Sequence, residues 1–350
     1  MIKRVLVAMS GGVDSSVTAA LLKKQGYDVE GVTLKLTTGL CCDIGSAQGV
    51  CDQLNIPHRM IDAQAEFSRD IISDFISEYR QGRTPNPCIK CNDLVKFHLL
   101  LHYARANGFD NLATGHYARI EYDPATARFM LKNGVDEQKD QSYFLYRLTQ
   151  EQMKGVLFPL GGMIKTEVKA FARDLKLPAA GRPESQEICF VPNDDYRSFL
   201  KERSPETLRP GEIIMTDGKV VGKHDGIAFF TVGQRRKLGV AADERLYVVR
   251  IDPYANRVIL GTISELQTRS MIISQFHFIS GEMPRFPLHV SVKIRYRSPF
   301  VPAVIEPLAI GTVRVAFETE VRGVCPGQAA VFYDGDNVVG GGVIETSRDI

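Results

Sequence analysis

Apolar and polar positions along this chain follow two styles, and the change comes near Pro210. Upstream, short apolar runs alternate with longer segments whose apolar residues recur at helical spacing. Val5 to Ala8 reads as a buried strand, Val17 to Lys24 as a helix stopping at Gly26, and Val29 to Leu36 as a second, parallel strand. The pattern continues with a helix near Ser46 to Leu54, a strand at His58 to Asp62 and a long amphipathic segment from Glu66 to Tyr79. Two prolines in Gly82-Arg83-Thr84-Pro85-Asn86-Pro87 then forbid helix. A helix near Asp93 to Asn107 and a strand at Asn111 to Thr114 follow, and Gly134 to Leu177 reads as helices between loops. Lys165 to Leu175 is the clearest of these, and a last helix near Asp194 to Arg203 closes the unit. Strands alternating with helices predict an α/β fold with a doubly wound parallel sheet.

Downstream of Pro210 the runs are short, alternating and broken by turn signals such as Thr216-Asp217-Gly218-Lys219 and Asp334-Gly335-Asp336-Asn337. This is all-β grammar. A linker near Ser264 to Ser270 divides it into a small, mainly-β central domain and a C-terminal β-barrel, giving expected domains 1–205, 206–268 and 269–350. Val290, Val292, Ile294 and Tyr296 alternate with Ser291, Lys293, Arg295 and Arg297, so one strand face is apolar and the other basic. Phosphate contact and a solvated edge both fit such a stripe.

Composition narrows the class without choosing a function. The 350 residues are 44% hydrophobic and 24% charged with net charge +2, ordinary for a globular protein and permissive of nucleic-acid binding only where cations cluster. No apolar run approaches the roughly 20 residues of a membrane span, and the start lacks a signal-peptide layout, so the expected location is cytoplasmic. Seven cysteines without a secretory signal argue against a disulfide scaffold.

The most informative stretch is Ser10-Gly11-Gly12-Val13-Asp14-Ser15-Ser16, a small-residue loop between the first strand and first helix. Such a position in an α/β sheet binds ligands, and a helix start favours anions. The Lys-Ser/Thr pair of a Walker A loop is absent. Asp14 suits either a Mg²⁺ on pyrophosphate or a helix-capping role. Cys88 and Cys91 form a C-x-x-C between the proline turn and a helix start, where the helix dipole favours thiolate. Half of a zinc site is the other reading, although no second pair follows. Cys189 taken alone reads as a buried apolar thiol. Cys51 and Cys325 read as structural, and the adjacent Cys41 and Cys42 either support the active thiols or are spectators. His116 suits a base, a phosphate or a satisfied core position.

The loop closely resembles the PP-loop of the N-type ATP pyrophosphatases, a Rossmann-like class. The chain as a whole resembles the tRNA-specific 2-thiouridylases of the MnmA type. The matching pieces are that loop, Gly82-Arg83-Thr84-Pro85-Asn86-Pro87 with Cys91-Asn92, Ala113-Thr114-Gly115-His116-Tyr117 and Lys139-Asp140-Gln141-Ser142-Tyr143-Phe144-Leu145. Ser185-Gln186-Glu187-Ile188-Cys189-Phe190, Thr231-Val232-Gly233-Gln234-Arg235 and Arg295-Tyr296-Arg297 complete the series in order. The resemblance implies sulfur installed at C2 of the wobble uridine of tRNA, with ATP adenylating the C2 oxygen. It implies that Cys189 carries a persulfide from a sulfur-donor protein and that Cys91 assists its release, the two able to pair as a disulfide. Its ATP contacts fall on Ala8, Met9, Ser10, Gly11, Gly12, Val13, Asp14, Ser15, Leu34 and Gly115. The target base falls near Asn86, Pro87 and Cys88, and tRNA contacts on His116, Lys139, Asp140, Gln141, Arg295, Tyr296 and Gln328. ATP and Mg²⁺ are the implied cofactors.

Many members carry Asp where Cys88 stands and a longer acidic loop in place of Thr37 to Ile44. Cys88, Cys91 and Cys189 therefore admit a 4Fe–4S cluster with an open fourth site. Two other function classes remain as alternatives: a PP-loop ligase or amidotransferase acting on a small molecule, and a non-catalytic RNA-binding protein with structural zinc. Paired thiols speak against the first and the PP-loop against the second.

Overall fold

The computed structural model describes residues 2–37, 43–182, 188–242, 244–309 and 311–347. Cys41, Cys42 and Ser185-Gln186-Glu187 lie outside the described residues. The first strand, β1 (Arg4–Ala8), is apolar throughout because both its faces are covered, and Val5, Leu6 and Val7 have no exposed surface. Helix α1 (Val13–Lys24) returns the chain to β2 (Asp28–Lys35), α2 (Ile44–Gln53) to β3 (His58–Asp62), and each strand pairs in parallel with its neighbour. Two long helical runs follow, α3 over 64–80 and α4 over 87–106, each with a π-helical middle. Strand β4 (Asn111–Ala113) then docks on the other side of β1. The chain works outward from β1 to β3 and then reverses to β4, so the crevice between the carboxyl ends of β1 and β4 is a topological switch point.

Three features depart from the expectation. The segment after β4 is a hairpin, β5 (Ala118–Asp123) and β6 (Arg128–Asn133). Within the stretch expected as helices and loops, β7 (Val156–Leu157) adds a fifth parallel strand next to β4, between α5 (Gln150–Lys154) and α6 (Lys165–Asp174). The last helix of this unit, α7 (Tyr196–Arg203), is where the pattern put it. The helix expected from Asp93 begins at Pro87 with Asn86 as its cap residue, so Cys88 and Cys91 lie inside it. Proline tolerates a first helical position because its missing N–H would have no partner there.

The β region forms two sheets. Strands β8 (Gly211–Met215), β9 (Val220–His224), β10 (Tyr247–Asp252) and β11 (Arg257–Gly261) make a small sheet in the order β10-β11-β8-β9. The remaining six are β12 (Gln267–Phe278), β13 (Leu288–Lys293), β14 (Val301–Ala309), β15 (Thr312–Arg322), β16 (Ala329–Asp334) and β17 (Asn337–Thr346). They close on themselves through the β12–β17 pairing. β12 begins inside the stretch expected as a linker. The alternation from Val290 buries Val290, Val292 and Ile294, but the strand itself stops at Lys293.

The hairpin joins these parts. β6 pairs with β17 at Asn337↔Lys132 and Val338↔Leu131, so the parallel-sheet unit lends two strands to the barrel sheet. One hydrophobic core runs from Leu6 and Leu112 through Tyr143 and Phe229 to Val331 and Val338. Leu131 is fully buried at that seam. Leu131→Ala is expected to cost about 2–5 kcal/mol, read as a lower denaturant midpoint for the transition that frees the barrel. Unchanged unfolding would show that the hairpin does not hold the units together.

Candidate active site

The loop after β1 is held open from both sides. Met9 accepts a hydrogen bond from Thr33 Oγ1 (2.9 Å), and its N–H donates to Val32 O (2.7 Å). Gly11 has φ +80°, and a Cβ there would lie 2.6 Å from Asp43 O, so only glycine fits. Asp43 in turn caps α2 through Ser46 N (2.8 Å) and binds Arg182 (2.6 Å). Helix α1 starts at Val13 behind Gly12 with no side-chain cap. Its first-turn N–H groups, which a helix cannot satisfy internally, are therefore left for an anion. Ser10 and Ser15 hydroxyls sit 3.3 Å apart across the loop. Ala8 and Leu34 flank it at the carboxyl ends of β1 and β2. This arrangement of hydroxyls and free N–H groups suits an anion such as a phosphate.

Asp14 is engaged before any ligand arrives. Lys165 Nζ donates to both of its oxygens (2.6 and 2.8 Å), and the Tyr117 hydroxyl donates to Oδ1 (2.9 Å). Lys165 is 7% exposed, while the Asp14 side chain keeps a third of its surface. A carboxylate has about four lone-pair sites, so one on Oδ2 remains for a bound Mg²⁺. Neither Lys165 nor Tyr117 was among the expected site residues. The signal for Lys165 was a lysine at the start of an amphipathic helix, where an acidic residue is the usual choice.

Gly115 packs on the start of α1. A Cβ on it would lie 2.9 Å from the Asp14 backbone, so the strand end after β4 passes directly over α1. The next residue, His116, hydrogen-bonds Thr114 Oγ1 (2.7 Å) and packs against Phe97 and Phe158. Desolvation and the Lys96 ammonium push its pKa down to about 3, so it is neutral at physiological pH. A neutral imidazole suits a base edge better than a phosphate.

Lys96 also faces Cys88, and Cys88 feels the charge of Cys189. Lys96 is thus close enough to act electrostatically on both His116 and Cys88, and Cys189 on Cys88, which brings these four residues into one neighbourhood. Cys88 and Cys189 meet solvent, while Cys91 is 7% exposed one turn deeper on α4. Phe190 anchors the Cys189 segment in an edge-on cluster with Phe67, Phe75 and Phe199. Although Cys88 as a residue is exposed, desolvation around its thiol raises its pKa against the opposing pull of Lys96, the reverse of what a helix start alone would do. Among the described residues no three Cys, His, Asp or Glu side chains gather as a metal site, so the expected cluster at Cys88, Cys91 and Cys189 finds no assembled donor set. Asn92, on the same helix, donates to Phe144 O (3.1 Å) while its buried Oδ1 has no donor among the described residues.

The residues expected at tRNA are mostly occupied within the chain. Asp140 is buried and accepts from Gly134 N, Ser142 N and Ser142 Oγ. Gln141 accepts from Tyr117 N (3.1 Å) and its own N–H donates to Tyr117 O (2.8 Å). Lys139 is half-buried beside them, its N–H bonded to Asp136 O. Tyr296 lies 4.5 Å from the Phe144 ring. Arg295 Nη2 donates to Gly323 O (2.5 Å) and Val232 O (3.3 Å), and Gln328 Nε2 to Thr84 O (3.0 Å) and Pro85 O (3.4 Å). Asn86 lies beside the Tyr143 hydroxyl, and Pro87 is buried at the helix start.

Comparison with known proteins adds the ancestry. A family model described as the tRNA methyl transferase HUP domain matches residues 3–193, with the PRC-barrel domain of that family at 197–262 and an aminomethyltransferase β-barrel domain at 268–344. The tRNA-specific 2-thiouridylase MnmA of Acetivibrio thermocellus is 46% identical, over 98% of this chain and 99% of that protein. The chain belongs to the MnmA family. The MnmA proteins of Carboxydothermus hydrogenoformans (46% identical, 98% of both chains) and Geotalea uraniireducens (47%, 98% of this chain and 95% of that one) agree.

Two outcomes follow for the site. Lys165→Gln is expected to abolish ATP-dependent pyrophosphate release and to cost about 1–2 kcal/mol of stability, less than a fully buried pair because Asp14 stays partly in water. Normal turnover would remove Lys165 from the site. His116, whose folded pKa lies far below its unfolded 6.5, contributes stability that is present above that pH and lost as pH falls through the window toward 3. His116→Gln is expected to flatten the fall in Tm between pH 7.5 and 5. The slope shrinks rather than vanishes, since His58, His224 and His277 shift the same way.

Proposed function

We infer that this chain is an ATP-dependent tRNA sulfurtransferase that converts the wobble uridine to 2-thiouridine, working in the cytoplasm. The observation that supports the reading is the uncapped start of α1 with Gly115 packed on the Asp14 backbone, and His116 and Cys88 next along, both acted on by Lys96. No helix among the described residues is long and apolar enough to cross a membrane.

The chemistry runs in three steps. The C2 oxygen of uridine attacks the α-phosphorus of ATP, pyrophosphate leaves, and the oxygen becomes part of an AMP leaving group. The terminal sulfur of a Cys189 persulfide, delivered by a donor protein, attacks C2 and AMP departs with the oxygen. The Cys91 thiolate then attacks Cys189 Sγ, which breaks the S–S bond to the uridine sulfur. This leaves 2-thiouridine and a Cys91–Cys189 disulfide for a dithiol reductant. Mg²⁺, when bound, neutralises charge on the polyphosphate near Asp14. Ser10, Ser15 and the first-turn N–H groups of α1 hold the phosphates, while neutral His116 orients the base with Asn86. The base must be flipped out of its stack to reach these groups. The iron–sulfur variant has no gathered donors behind it, and no step here uses it. Methyl transfer, which the domain descriptions suggest, needs neither a pyrophosphatase loop nor paired thiols.

Mass analysis of tRNA from cells lacking this chain is expected to show loss of wobble 2-thiouridine, and unchanged 2-thiouridine would refute the reading. Cys189→Ser is expected to keep tRNA-dependent pyrophosphate release while forming no thiouridine. Full thiolation by that variant would rule out the persulfide role.

A further inference from the structure

The segment 82–87 carries Asn86 and Pro87 and leads directly to Cys88, and its own domain holds it at Glu78, Tyr79 and Tyr143. Both β domains grip it as well. From the central sheet, Ile251 packs against Gly82 so closely that a Cβ would lie 2.5 Å from its Cγ2, and Thr84 Oγ1 donates to Thr231 Oγ1 (3.2 Å). From the barrel, Pro326 O accepts from Thr84 N (2.8 Å), Gln328 Nε2 donates to the Thr84 and Pro85 carbonyls, and Gly327 lies flat on the Thr84 backbone. Arg83 completes the clamp. Its guanidinium binds Glu78 Oε2 (2.8 Å) at the end of α3, Glu345 Oε2 (2.6 Å) near the end of β17, and Ile344 O (3.5 Å). Glu345 is itself bonded by Ser274 of β12, and the Arg83 charge keeps its carboxyl ionised.

We propose that Arg83 is a positioning residue of the active site: with Glu345 and Gln328 it fixes the backbone that presents Asn86 and Cys88, so the C-terminal barrel is part of the catalytic frame as well as a surface for tRNA. The inference rests on the sulfurtransferase reading for its kinetic consequence. Three features support it over a purely stabilising role. Beside the side-chain bonds of Arg83 and Thr84, the barrel holds the main chain itself, through the Thr84 and Pro85 carbonyls and the Thr84 amide. The guanidinium is a planar fork, which sets orientation where an ammonium would not. Small misplacements of positioned groups cost up to about a hundredfold in rate.

The test compares wild-type chain with Arg83→Ala, Arg83→Lys, Glu345→Gln and Gln328→Ala, all full length. Arg83→Ala and Glu345→Gln are expected to lower kcat for thiolation at least about tenfold at saturating tRNA and ATP. Kd for tRNA and KM for ATP should stay within about threefold, and Arg83→Lys should recover only part of the loss. Hydrogen–deuterium exchange at residues 84–90 should rise in the same order. A loss that appears wholly as weaker tRNA binding, or unchanged kcat with unchanged exchange, would overturn the proposal. Should Arg83→Ala fail to fold, the milder Glu345→Gln decides it by the same readouts, and Gln328→Ala by exchange at residues 84–90. A wild-type chain that forms no thiouridine would instead condemn the functional reading, and the exchange data would still judge the clamp.

Discussion

A carboxylate in the first turn of a helix that must also receive polyphosphate sets the terms for this structure. The helix end supplies about half a positive charge, too little to neutralise both Asp14 and a phosphate. Lys165 supplies the rest, from a residue 151 positions away and almost wholly buried. Its own backbone N–H is held by Asp136, and Tyr117, the third member, is held by Gln141 through both backbone and side chain. The polar segment 134–141 therefore serves the nucleotide loop, although in sequence it looks unrelated to it.

Desolvation governs the other half of the site. A helix N-terminus stabilises an anion by about 0.3–1 kcal/mol at an exposed site, whereas removing a thiolate or imidazolium from water shifts its pKa by up to about 3–5 units. Desolvation keeps His116 neutral, and at the more exposed Cys88 it still pushes the thiol pKa up. Lys96 adds to this at His116 and opposes it at Cys88.

The parallel sheet was legible because each strand is a short apolar run between helical segments, and the loop Ser10 to Ser16 because few chemistries tolerate so many small residues there. The hairpin β5–β6 was not, since its strands are half-exposed with mixed polarity and gain their partner only from β17, some two hundred residues later. The start of α4 was misjudged because Pro85 and Pro87 look alike in sequence, and only the second sits where a helix can begin. Lys96 was invisible for a simpler reason, and Lys165 showed only its unusual place in the first turn of a helix. A lysine on a helical pattern reads as a solvated face, and nothing local signals that another element will cover it.

The same logic explains why the domain junction is built from Arg83 rather than from more apolar surface. Partly exposed ion pairs are worth about 0–1 kcal/mol, so the pairs with Glu78 and Glu345 add little to stability beside the continuous core beneath them. A hydrophobic contact, however, is non-directional and tolerates sliding. A guanidinium fork held between two carboxylates of different domains does not, because its donors lie in one plane at fixed angles. Apolar burial keeps the three units together, and the polar contacts at residues 83–85 determine how the segment that meets the substrate is turned.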